Sequence, residues 1–151
     1  MLRRIMLPLA VAGLAVAAYL SYEHATGGTA VCPTGGGGCG KVQSSPELRL
    51  LGVYIPYLAL AGYAGVTASL LVRAPVAGLV TAGLAYLGVG MTGYVLYLQA
   101  FVIEAWCPWC VFSTALMWTI AALATWCYLR GDTAPAAARR VTVARGRARG
   151  R

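Results

Sequence analysis

Charge is scarce in this chain. Only 11% of its 151 residues are Asp, Glu, Lys or Arg, against roughly 25% in a soluble domain. Acidic side chains number four and histidine one, His24. No haem, flavin or nicotinamide motif is present, and no internal repeat. A c-type haem site needs His after its CxxC pair, and here Val111 follows. What fills the chain is apolar: 60% of residues are hydrophobic, and the mean hydropathy is +0.71.

Those residues fall into four long runs, at 5–22, 50–72, 74–98 and 111–129. About 20 apolar residues at 1.5 Å rise cross a hydrocarbon core, and a helix satisfies its own backbone there. A very apolar soluble helical protein is the alternative, and the run lengths count against it. The expected fold is an all-α integral membrane protein, a four-transmembrane-helix bundle with an outer redox loop. Its spans are expected at 5–22, 50–72, 74–98 and 108–129. Arg3 and Arg4 before the first run also suit a signal peptide, but an 18-residue run exceeds the usual h-region and favours a retained span. Residues 1–130 form the expected transmembrane domain. Residues 131–151 read as an Arg-rich disordered tail without an apolar face, contacting anionic lipid headgroups rather than nucleic acid.

Charge also orients the chain. Arg3, Arg4, Arg73, Arg130 and the six later arginines fall on one side, with Lys41 and Arg49 alone on the other. The positive-inside rule puts both termini in the cytoplasm of a cell inner or plasma membrane. The loops after the first and third spans then lie outside, with a tight turn at residues 73–75 inside.

Of five cysteines, Cys32, Cys39, Cys107 and Cys110 fall on the outer, oxidising side, and Cys127 falls near the inner end of the last run. Working disulfides are distributed this way. Cys107-Pro108-Trp109-Cys110 sits where loop becomes helix, and a helix start stabilises a thiolate. Proline suits that first turn. Four glycines, 35–38, separate Cys32 from Cys39 and allow a bridge that opens and swings. A structural disulfide and a four-thiolate zinc site are the competing readings; no metal is expected. Trp106, Trp109 and Phe112 suit either a pocket for a lipid-soluble ring or an interfacial aromatic belt. His24 reads as solvated and Cys127 as a packing residue. By elimination, a membrane-dissolved quinone is the simplest electron acceptor.

Cys32, Cys39, Gln43-Ser44-Ser45-Pro46, Gly52-Val53-Tyr54-Ile55-Pro56 and Cys107-Pro108-Trp109-Cys110, in this order, resemble the short bacterial form of the vitamin K epoxide reductase family over about residues 5–129. The DsbB type, also four-helix and quinone-linked, carries its CxxC in the first outer loop instead. The resemblance implies a four-helix bundle around a quinone, menaquinone or ubiquinone. Cys32 and Cys39 would exchange with a thioredoxin-like dithiol partner, separate because no such domain is fused here. Cys107 would be attacked by the loop pair, Cys110 would lie nearest the quinone, and Ser45 would supply a nearby hydroxyl. Vertebrate members place an asparagine where Leu48 stands and a tyrosine where Thr114 stands, both holding quinone oxygens. These departures weigh against vitamin K epoxide reduction. They favour plain quinone reduction coupled to disulfide formation in exported proteins. A non-catalytic membrane protein with structural disulfides is the other reading.

Overall fold

The computed structural model describes residues 2–28, 30–33, 35, 37–50, 52–72 and 76–130. The expected turn at residues 73–75 and the expected disordered tail at 131–151 lie outside them.

Helix α1 spans Leu2–Ala25. A loop leads to the short α2, Gly38–Ser44, and a 3-10 turn at Pro46–Leu48. Strands β1 (Arg49–Leu50) and β2 (Val53–Tyr54) pair antiparallel, Arg49 opposite Tyr54. Helix α3 covers Ile55–Leu71. Helix α4 covers Ala77–Tyr97 and runs on as a π-helical turn, Leu98–Val102. Helix α5, Pro108–Leu129, completes the described chain.

Among the described residues, three helical stretches are long and apolar enough to cross a membrane: Arg3–Ala25, Ala77–Val102 and Pro108–Leu129. Ile55–Leu71 is also apolar but has 17 residues. At 1.5 Å per residue it reaches about 25 Å. The run at 50–72 is therefore shortened as a helix. Its first residues fold into the β1–β2 hairpin, the small departure from an all-helical chain. Gly52 takes φ +83 in that turn, a region open to glycine. Pro56 then sits in the first turn of α3, where its missing N–H costs nothing. The third span instead runs past residue 98, because Ala100, Phe101 and Val102 continue the apolar run.

The four longer helices pack in a ring, α1 and α4 each against both α3 and α5. Gly13 on α1 brings the backbone close to the Tyr63 ring, so that a Cβ there would overlap the ring. The Tyr63 hydroxyl donates to the Ser113 carbonyl at 2.7 Å, so this contact joins α1, α3 and α5. One core cluster includes Met6, Ala10, Leu70, Ile120, Ala124 and Cys127. At the same end the Arg3 guanidinium donates to the carbonyls of Leu70 and Val72, two groups that a helix terminus leaves without partners. A second cluster, at the other end, gathers Cys39, Val42, Leu48, Tyr54, Val95 and Cys107. Cys127 thus lies at the opposite end from the other four cysteines, packed as an apolar residue.

Candidate redox site

Helix α5 begins at Pro108, so Cys107 is its N-cap and Cys110 lies in its first turn. Both carry free thiols; Cys107 is wholly buried, and Cys110 is partly exposed. The segment before Cys107 is held by Gln99. The π-helical turn contains this residue, and its side chain is fully buried. Gln99 Oε1 accepts from the Cys107 N–H at 2.7 Å, and its carbonyl accepts from the Ala105 N–H at 3.1 Å. One amide therefore fixes the start of α5 through both backbone and side chain. Sequence reasoning missed it. The signal available was an amide inside an otherwise apolar run, which must find partners when buried.

Cys32 and Cys39 form a disulfide with a Cα–Cα distance of 5.7 Å. Cys39 is fully buried in the same cluster as Cys107, and Cys32 and Cys110 pack against that cluster. All four expected cysteines are therefore brought together. Among the described residues, no group of three or more His, Cys, Asp or Glu could hold a metal ion.

Two contacts seat the loop. Val31, just before Cys32, donates its N–H to the Tyr19 hydroxyl at 3.1 Å. Its carbonyl accepts from Trp109 Nε1 at 2.9 Å. The Trp109 of the CPWC motif is thus a clamp on the cysteine loop, while Trp106 remains exposed. Gly38 provides the third approach. A Cβ at Gly38 would meet the Trp106 carbonyl oxygen at 2.5 Å, whereas a Cβ at Gly37 would meet nothing within 4 Å. Glycine at 38 therefore serves proximity, bringing the Cys39 helix against the chain that leads into Cys107.

The electrostatics favour a reactive Cys107. The Cys110 thiol, hydrogen-bonded to the Cys107 sulfur, lowers the Cys107 pKa from the ordinary 9.0 to about 7, against a burial that raises it. Backbone N–H groups of Cys110 and Trp109 add to the lowering, as an N-terminal helical turn should.

Beside Cys110 a cleft of about 490 Å³, counting the space at its open side, enters the bundle. Leu20, Leu48, Pro56, Met91, Val95 and Thr114 are among its walls. Its nearby hydroxyls are engaged: Thr114 Oγ1 donates to the Cys110 carbonyl at 2.8 Å, and Thr92 Oγ1 to the Gly88 carbonyl at 2.8 Å. Leu48 and Thr114, the two positions that depart from the vertebrate pattern, both face this cleft. Two expected contacts lie elsewhere. Phe112 is exposed and does not line the cleft. Ser45 does not line it either; its Oγ donates to the Lys41 carbonyl at 2.7 Å. His24 is not simply solvated, since it stacks on Tyr54 with ring centroids 3.8 Å apart.

A stretch of 51 residues is 45% identical to the thiol-disulfide oxidoreductase LTO1 of Arabidopsis thaliana. That stretch is 34% of this chain and 14% of the plant protein, so the chain covers a small part of that relative. Residues 4–125 match the model of the vitamin K epoxide reductase family, and the chain belongs to that family.

Proposed function

We propose that the protein is a quinone-dependent thiol-disulfide oxidoreductase of the membrane. It takes electrons from a thioredoxin-fold (DsbA-like) extracytoplasmic dithiol and supports disulfide formation in exported proteins. The observation that carries this reading is the arrangement of one formed disulfide, Cys32–Cys39, packed with one thiol pair, Cys107 and Cys110, next to an apolar cleft. Four spans with both termini cytoplasmic complete the reading. The 17-residue α3 falls at the short end of the range for a spanning helix. The arginines at the Arg3 and Arg130 end favour a cytoplasmic placement of that end.

The residues act in sequence by thiolate attack on disulfide. A partner thiolate attacks Cys32 and releases Cys39 as thiolate; the partner's second thiolate then resolves the partner–Cys32 mixed disulfide, so the partner leaves oxidised and Cys32 is freed as a thiolate. The released loop thiolate attacks Cys107 in an oxidised Cys107–Cys110 pair, and Cys110 leaves as thiolate at the mouth of the cleft. Cys32 then attacks Cys39 in the Cys39–Cys107 mixed disulfide, restoring Cys32–Cys39 and leaving the dithiol. A quinone supplies the two-electron, two-proton acceptor for that dithiol. The cleft's chemistry suits an apolar ring: its threonine hydroxyls donate to backbone carbonyls, Ser113 Oγ is paired with the Tyr63 hydroxyl, and Leu48 and Thr114 present no free donor. Holding would be by apolar contact, which suits plain quinone reduction better than epoxide chemistry.

The test is quinone reduction by the purified chain in lipid with a DsbA-like dithiol as donor. Cys110→Ala should abolish it, with thermal unfolding showing that the variant is folded. Activity retained in Cys110→Ala overturns the reading.

A further inference from the structure

Three buried side-chain polar atoms among the described residues lack a hydrogen-bond partner: Ser21 Oγ, Gln43 Nε2 and Tyr54 Oη. An unpaired buried donor is costly, and such groups are few in folded proteins. Two of these three belong to the redox site. Gln43 is 6% exposed and stands one helical turn after Cys39 on α2, so the two side chains share a face. Its Oε1 is used, accepting from the Ala30 N–H at 3.4 Å, which turns Nε2 the other way. Tyr54 is 4% exposed and sits in the cluster that contains Cys39 and Cys107. His24 covers one face of its ring and Tyr57 meets it edge-on, so the phenol is fixed in orientation.

We propose that Gln43 Nε2 and Tyr54 Oη form a two-donor cradle for the Cys107 sulfur, vacant of hydrogen bonds while Cys107 is a thiol and filled when it carries negative charge. The inference rests on the cysteine roles proposed above and adds two residues to them. When Cys32 attacks Cys39 in the mixed disulfide, the Cys32–Cys39 bond forms and the Cys39–Cys107 bond breaks. The bonding electron pair leaves on the Cys107 sulfur, and in the proposed cradle both donors turn to it. A better-stabilised leaving thiolate departs faster. The Gln43 amide favours the ionised form of Cys107. Burial first, then the charges of Cys110 and Cys107, raise the Tyr54 pKa above its ordinary value and keep the phenol protonated as a donor. Both are positioning residues for the anion, since neither exchanges electrons.

The experiment is a pH titration of thiolate ultraviolet absorbance on the full chain in lipid nanodiscs, with Cys32–Cys39 oxidised, Cys107 and Cys110 reduced, and Cys107→Ser as the blank. The unsubstituted protein should titrate Cys107 near pH 7. Tyr54→Phe and Gln43→Leu should each cut the thiolate fraction below that midpoint about tenfold, which places the new midpoint near pH ~8. Gln43→Glu keeps an acceptor for the Ala30 N–H but replaces the donor with a carboxylate oxygen, and should cut the fraction further. An unchanged midpoint in Tyr54→Phe and Gln43→Glu overturns the cradle. So does a higher midpoint in Gln43→Leu without one in Gln43→Glu, which would assign Gln43 to holding Ala30. The titration uses neither quinone nor partner, so loss of the proposed activity and loss of the cradle are read separately.

Discussion

The substitution Gly38→Ala should slow electron exchange between the loop pair and the CPWC pair about a hundredfold. An added Cβ would lie 2.5 Å from the Trp106 carbonyl oxygen, and ordinary contact begins at 3.4 Å. The required retreat is 3.4 − 2.5 = 0.9 Å. The obstructing atom is backbone, one residue before the N-cap Cys107 that Gln99 fixes, so no side chain can swing aside. Helix α2 must therefore move, taking Cys39 with it. A misplacement of about 1 Å between reacting groups can cost about 10²-fold in rate. Gly37→Ala is the matched control, since nothing lies within 4 Å of a Cβ there and φ is −70. The assay is single-turnover exchange. Protein with Cys107–Cys110 oxidised is mixed with a dithiol donor, quenched in acid and alkylated, and the redox state of each cysteine peptide is read by mass spectrometry. Cys32–Cys39 opening should keep its rate in both variants, and Cys107–Cys110 reduction should slow only in Gly38→Ala. Equal slowing in the two variants would mean that loop flexibility governs exchange. No slowing in either would refute the close-approach argument altogether.

Two further outcomes follow from the packing and hydrogen bonding. Gly13→Ala should destabilise the bundle by about 1–3 kcal/mol through overpacking against Tyr63, lowering the melting temperature in detergent. Gly62→Ala, with open space around it, should leave that temperature near its starting value. Gln99→Leu should cost about 1–3 kcal/mol by stranding the buried Cys107 N–H, whereas Gln99→Glu retains an acceptor and should recover most of the loss in the same melt.

The helices were legible because apolar run length is a strong signal, and the start of α5 was legible because Pro108 marks a first turn. The β1–β2 hairpin was hidden inside the run at 50–72. Its apolar residues do not announce a break, and only Gly52 and Pro56 punctuate it. The cysteine pairs were legible from spacing and side. The companions of those cysteines were not. Gln43 and Gln99 are the chain's two glutamines, and both act on residues distant along the sequence or on another element. Period and composition do not register such contacts. Trp109 shows the same limit: read as belt or pocket, it serves as a hydrogen-bond donor to Val31, 78 positions earlier. Glycines 35–38 looked alike in sequence, and only the packing separates Gly38 from Gly37.

The Arg3 contact with Leu70 and Val72 has a mechanical meaning. It clasps the start of α1 to the end of α3, at the pole farthest from the cysteine loop. The bundle is thereby latched at its base, while α2 and the cysteines Cys32 and Cys39 sit at its opposite rim. On the proposed function, a partner would engage that rim, away from the interior around Tyr63. The proposed redox chemistry would then be confined to one rim, and the latched end would carry none of it.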